Sequence, residues 1–201
     1  MPKQRFFNLA KEKQERIIDS AIDAFAEKGF NADVASIVRG AKIPRGSFYQ
    51  YFNGIEDLFT YILELIIQTK YEYLSDLLNL MGKIPFIDFF RKAFERGLEF
   101  AEDYPKYRLI GAHLSSPGGD KLGFIEMRKK SGESLYATLI EKDKEKGLIR
   151  KDVDAMLLGK LLYGISSEIA IEKLYREHKT IEEILETLDG FFDIIINGIK
   201  P

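Results

Sequence analysis

Arg45, Ser47, Tyr49, Gln50 and Tyr51 lie within one run, Arg-Gly-Ser-Phe-Tyr-Gln-Tyr, at residues 45–51. Their guanidinium, hydroxyl, phenol and carboxamide groups are phosphate-type donors and stackable rings, the equipment for a polyanion rather than for bond breaking. Pro44 stands in front of them, where its missing N–H costs a helix nothing. Phe48 and Phe52, four apart, supply a buried side and leave the donors for other work. A helix this short is a poor core element. The expectation is that it enters DNA.

The rest of the chain offers little competing chemistry. Cysteine is absent, which excludes disulfides and thiolate metal sites. The only histidines, His113 and His178, are isolated, and there is no nucleophile elbow or dinucleotide fingerprint. No catalytic residue, metal or cofactor is therefore expected, and the chain is read as not an enzyme. Glu182, Glu183 and Glu186 read as a solvated helix face. The Ser-Ser-Pro-Gly-Gly-Asp stretch at 115–120 reads as a connector, because neither a strand nor a Gly-Lys-Ser/Thr element accompanies it.

Around the donor-rich run the apolar spacing is helical throughout. Ile17, Ile18, Ala21, Ile22 and Phe25 mark one face of a helix that Gly29 stops. Asp33 can cap a short helix that turns Ile37, Val38 and Ala41 inward. Two short helices joined by about four residues have the dimensions of a helix-turn-helix. Asn53 with Glu56 suggests a capping box for a long helix ending near Gly82, roughly 40 Å of rod. A Phe-rich helix over 86–104, a short one over 105–114, and an amphipathic one over 122–146 follow. Asp152 is the expected cap of a run to about His178, and Thr180 with Glu183 the cap of the last helix. The count is nine helices and no sheet. Residues 156–174 and 184–199 are apolar on more than one side, so the last two helices, about 153–178 and 181–197, are expected to pair with a second copy.

Composition sets mild bounds. Hydrophobic residues at 45% and charged residues at 31% suit a globule with a real core. Residues 1–52 hold nine Lys/Arg against six Asp/Glu, and the remainder holds 21 against 26, so a basic head stands on an acidic body. Lys3 and Arg5 form either a flexible phosphate-contacting arm or a solvated terminus. No apolar leader-like run or membrane-length stretch is present, and a cytoplasmic location is expected.

Over residues 9–59 the chain resembles the TetR family of bacterial transcription regulators. The resemblance rests on Phe25-Ala-Glu-Lys-Gly29-Phe30, Ile37-Val38-Arg39-Gly40-Ala41, Gly46 through Phe52, and Glu56-Asp57-Leu58-Phe59. Four positions depart from the pattern: Lys42 replaces the usual turn Gly, Pro44 a capping Ser/Thr, Asp33 a Thr-rich cap, and Ile55 a Lys.

The resemblance implies an all-α, two-domain regulator: a helix-turn-helix DNA-binding head at 1–52 and a ligand-binding and dimerisation body at 53–201. The implied partners are double-stranded DNA, a small-molecule effector and a second copy of the chain. Arg39, Ser47 and Tyr49 would position the DNA backbone, Arg45 and Gln50 would read base edges, and Gly46 would let the backbone approach. Lys42 and Tyr51 complete the DNA set. An apolar pocket with a few polar groups is expected in the body. Its candidates are Tyr61, Phe90, Phe94, His113, Phe124, Met127, Arg128, Tyr136, Tyr163 and the pair Ser166 and Ser167. The expected activity is a repressor on an inverted-repeat operator, released by a lipophilic effector. The alternative is a helical lipophile-binding or interaction protein with weak or non-specific DNA binding.

Overall fold

Periodic apolar spacing becomes helix nearly everywhere in a computed structural model that describes residues 1–177 and 179–198. Among these residues the α-helices are α1 Gln4–Phe7, α2 Lys11–Lys28, α3 Val34–Gly40, α4 Arg45–Tyr51, α5 Ile55–Tyr73 and α6 Ser75–Leu78. They continue as α7 Phe86–Asp103, α8 Pro105–Ser115, α9 Phe124–Glu145, α10 Ala155–Ile169 and α11 Ile181–Asn197. No strand occurs among the described residues. The all-helical class holds, and the α-helices among the described residues number eleven where nine were expected.

Two compact units divide the chain. The first joins Met1–Tyr73 to Ala101–Leu122. Here α2 packs against α3, α5 and α8, and α1 and α3 both pack on α4. Its core is built from Ile17, Phe25, Ile37, Phe48, Phe52, Leu58, Phe59 and Ile62, all essentially without exposure. Helix α8 is held to α2 by an ion pair between Lys106 and Asp23. His113 Nε2 also lies 3.1 Å from the Ala26 carbonyl oxygen at the end of α2.

The second unit joins Leu74–Phe100 to the described residues from Gly123 onward. Helix α10 packs on α9 and contacts α11. Phe86 and Phe90 of α7, Tyr136 of α9 and Phe192 of α11 form an aromatic centre, with Phe90 5.2 Å from Tyr136 and 5.5 Å from Phe192. Two polar pins hold α7. The buried Asp143 carboxylate accepts the Phe86 N–H at 2.5 Å, and the Arg91 fork meets Asp189 with two bonds of 2.8 Å.

Four boundaries differ from expectation, each for a local reason. The long helix stops at Tyr73 and resumes as α6 after Leu74, so α5 is 19 residues and about 28 Å long. The chain bends there with both Leu74 and Leu77 buried. The start of α5 is closed by Asp57, not Glu56: its carboxylate accepts the Asn53 N–H at 3.0 Å. The cap of α10 is Asp154, which accepts the Leu157 N–H at 3.0 Å, two residues after the expected Asp152. Beyond Ile169 the helix widens into a π-helical turn, Ala170–Arg176; His178, the expected end of this run, lies outside the described residues. The Thr180–Glu183 capping box forms as expected.

A fifth difference concerns the N-terminus. Lys3 and Arg5 are exposed, and residues 4–7 form a short helix. They are helical because Phe6 is fully buried, 5.1 Å from the Phe52 ring and 5.7 Å from the Tyr61 ring.

Candidate nucleic-acid interface

Helix α3 begins at Asp33, whose side chain accepts the Ser36 N–H at 2.8 Å. That backbone bond holds the carboxyl below the ordinary aspartate range, and Lys28 adds to the effect. An anion thus occupies the helix start, filling donors that would otherwise face outward. Ile37 and Val38 face the core. Ser20 Oγ of α2 donates to the Ile37 carbonyl at 2.8 Å. A Cβ at position 40 would stand 2.3 Å from that same oxygen, so Gly40 is what lets α3 lie this close to α2.

The turn after α3 resolves the missing glycine. Ile43 N–H reaches the Val38 carbonyl at 3.0 Å and Lys42 N–H the Arg39 carbonyl at 3.2 Å. These are the two bonds of a Schellman motif, whose C′ position requires a left-handed residue and is usually Gly. Here Lys42 itself takes φ +53°, alone among the described non-glycine residues in having a positive φ. A side chain in this region costs about 1 kcal/mol or more. The turn therefore keeps its shape at a local strain and projects an exposed ammonium from its tip.

Helix α4 follows Pro44, whose carbonyl accepts the Ser47 N–H at 2.9 Å, with no side-chain cap. Phe48, Tyr51 and Phe52 are buried, with the Phe48 and Phe52 rings 5.4 Å apart. Arg45, Gly46, Tyr49 and Gln50 are exposed on the opposite side, Tyr49 with 46% of its surface free and its ring edge-on to Phe48. Ser47 is half-buried between the two sides. Nothing lies within 4 Å of a Cβ built at Gly46. A glycine kept in the first turn of a short helix, beside open space, leaves the bare backbone accessible. Arg39 and Lys42 are exposed next to this stripe.

Of the eight candidates, Arg39, Lys42, Arg45, Gly46, Tyr49 and Gln50 are exposed, Ser47 is half-buried and Tyr51 is packed. Tyr51 is only 6% exposed, and the Lys13 ammonium sits 5.7 Å from its ring centre. Helical phase accounts for the split, since 48, 51 and 52 share a side that 45, 46, 49 and 50 do not. Ser20 escaped the sequence reading, and Lys3 entered it only as part of an N-terminal arm or solvated terminus. Ser20 is a small polar residue on a helix border, and only its pairing with Gly40 reveals a task. Lys3 Nζ donates to the Tyr49 carbonyl at 2.8 Å.

The ligand candidates do not form one group. Tyr61 and His113 belong to the first unit, Tyr61 against the Phe6 and Phe7 rings and His113 beside Ala26. In the second unit Phe90, Tyr136 and Tyr163 come together, the two phenol rings 5.9 Å apart. Burial pushes both phenols above the ordinary tyrosine range. Phe94, Phe124, Arg128 and Ser167 are half-buried, Ser166 is buried, and Met127 is 59% exposed. Among the described residues no three His, Asp or Glu side chains converge as a metal site, and no helix is long and apolar enough to cross a membrane.

Comparison with known proteins bears on this geometry. Residues 17–62 match the family described as bacterial regulatory proteins, tetR family. An uncharacterized HTH-type transcriptional regulator of Bacillus subtilis, YuxN, is 27% identical over 200 residues, covering 94% of this chain. The chain spans 62% of that relative's length. A TetR-like transcriptional regulator from Rhodococcus sp. RHA1 shares the fold with a TM-score of 0.73 at 18% identity, over 96% of this chain and 100% of that one. The regulator FadR from Bacillus subtilis, solved in complex with stearoyl-CoA, shares it with a TM-score of 0.70 at 17% identity, over 92% and 99%. The matching segment runs from the core of α2 through the turn and α4 into α5, so it is in this stretch, residues 17–62, that the chain is similar to the tetR family of bacterial regulatory proteins.

Proposed function

We propose that this protein is a ligand-responsive transcriptional repressor that binds an inverted-repeat operator as a homodimer and leaves it when a small lipophilic effector binds. The observation that carries the reading is the exposed stripe Arg45, Gly46, Tyr49 and Gln50 on a short helix, flanked by Arg39, Lys42 and Ser47. Ser47, Tyr49, Arg39 and Lys42 hold phosphates, and Arg45 and Gln50 address base edges. Residues 1–52 are the DNA-contacting part and residues 53–201 the regulatory part.

Dimerisation through α10 and α11 is supported by apolar surface without cover. Leu157 and Leu161 of α10 and Ile194 of α11 are each at least half exposed, the first two seven and three residues before the open Gly164 and the third four residues after the open Gly190. Such faces suit a two-fold helix pairing. The effector is assigned to the second unit, beside Phe90, Tyr136 and Tyr163, where apolar rings and two half-buried phenols combine the lining and the polar handles a lipophilic ligand needs. The stearoyl-CoA bound to the FadR relative makes a long-chain acyl thioester the first effector to try. Coupling runs along the chain itself: α7 begins in the second unit and ends in the first, and α5 ends at Tyr73, where the chain passes from the first unit to the second. The effector shifts DNA affinity only by its differential affinity for the two states.

The second reading, a helical lipophile-binding protein with weak DNA binding, is favoured by Asp33, an anion at the start of α3. One titration separates the two. Fluorescence anisotropy of duplexes from the protein's own upstream region is expected to show tight, salt-sensitive binding that stearoyl-CoA weakens. Binding of stearoyl-CoA with no sequence-selective DNA binding would favour the second reading, and DNA affinity unchanged at saturating stearoyl-CoA would remove it as effector.

A further inference from the structure

We propose that the N-terminal segment, residues 2–8, is a clamp that sets the last turn of α4, with Lys3 as its positioning residue. The inference rests on the reading that α4 enters DNA. It begins from a weakness of that helix. Seven residues, no side-chain cap and a glycine in the first turn make α4 marginal on its own. Its last carbonyls, those of residues 48–51, lack intrahelical partners. Phe52 N–H takes the Phe48 carbonyl at 2.9 Å. Lys3 takes two more: its backbone N–H donates to Tyr51 at 2.8 Å and its ammonium to Tyr49 at 2.8 Å.

Packing fixes the same turn from the same side. Pro2 is buried, and Phe6 is fully buried with its ring against Phe52, the residue that ends α4. Gln14 of α2 secures the far end of the segment, its side-chain amide donating to the carbonyls of Phe7 at 3.2 Å and Leu9 at 2.8 Å. A cation at a helix C-terminus also favours the helix through its dipole. Tyr49 and Gln50 stand on the turn so held. Lys3 thus serves DNA recognition through the backbone of Tyr49 and not through a phosphate. Lys3, at the front of the chain, acts on protein carbonyls.

Lys3→Met tests this in the full-length chain, because it keeps the apolar stem and removes the ammonium. Three quantities are read: amide hydrogen exchange over residues 49–52, affinity for an operator duplex, and the slope of log affinity against log salt. Exchange is expected to quicken and affinity to fall, each about fivefold, the size of one lost hydrogen bond. The salt slope is expected to stay at the wild-type value, and Lys3→Arg is expected to restore both rate and affinity. A slope shallower by about one would make Lys3 a phosphate contact and overturn the clamp. Unchanged exchange would overturn it as well. If the wild-type chain binds no duplex selectively, the proposed function fails, while the exchange arm still decides the clamp.

Discussion

At the residue scale, Lys42 and Gly46 make opposed predictions for stability and binding. Lys42 holds a left-handed backbone that glycine holds without strain. Lys42→Gly is therefore expected to raise head stability by about 1 kcal/mol, read as a higher thermal midpoint, while DNA affinity falls with the lost ammonium. A lowered midpoint would show that the turn is not strained at this position. Gly46→Ala places a methyl in open space, so the free helix should gain about 0.5–1 kcal/mol. The same methyl stands where a nucleic-acid backbone would approach, and operator affinity should fall. Gains in both would remove Gly46 from the interface. The absence of a turn glycine was legible in the sequence. That Lys42 itself would adopt the conformation was not, because a chain without Gly can also close a turn by changing its bonds. Tyr49 and Tyr51 looked alike as letters, and only the phase of α4, set by Phe48 and Phe52, assigns one to the surface and the other to the core.

At the scale of elements, caps decide boundaries that periodicity leaves open. Two acidic residues stand at the start of α5 and two near the start of α10, and spacing alone does not choose which returns to the backbone. Asp57 and Asp154 do so, where Glu56 and Asp152 were expected. The break at Leu74 was equally hidden, since its flanking residues would all tolerate an uninterrupted helix. Asp143 is the element-scale contact with no local signal at all. It joins the end of α9 to the first turn of α7, 57 residues away, while only 3% exposed. Asp143→Ala leaves the Phe86 N–H without its partner and is expected to destabilise the protein by about 1–3 kcal/mol. Asp143→Asn keeps an acceptor and should lose less; equal losses in denaturant titrations would mean that charge, not the bond, matters. Asp33 supplies a pH test. Its carboxyl is lowered in the folded state, so its stabilising effect is complete above the ordinary aspartate value of 3.8 and fades as pH falls through the lowered one. The difference in thermal midpoint between wild type and Asp33→Ala should hold from neutral pH to about pH 5 and shrink below about pH 4. A difference that grows with acid would contradict the cap.

For the whole molecule, the helical class and the head motif were legible because they rest on local spacing. The compact units were not, since residues 101–122 join the first unit by packing on α2, far away in the chain. Nor were the ligand candidates separable, because Tyr61 and His113 have the same composition-level appearance as Phe90 and Tyr163. Leu161→Glu with Ile194→Glu tests the assembly: sedimentation is expected to show a monomer whose operator binding is largely lost, and a dimer surviving both charges would place the interface elsewhere. The central claim is that paired copies of α4 read a two-fold DNA site. Selecting bound sequences from random duplex DNA tests it most directly. The account predicts enrichment of an inverted repeat whose half-sites lie about 10–10.5 bp apart centre to centre, or a multiple of that spacing. Recovery of no consensus, or of a single half-site without a symmetric mate, would contradict it.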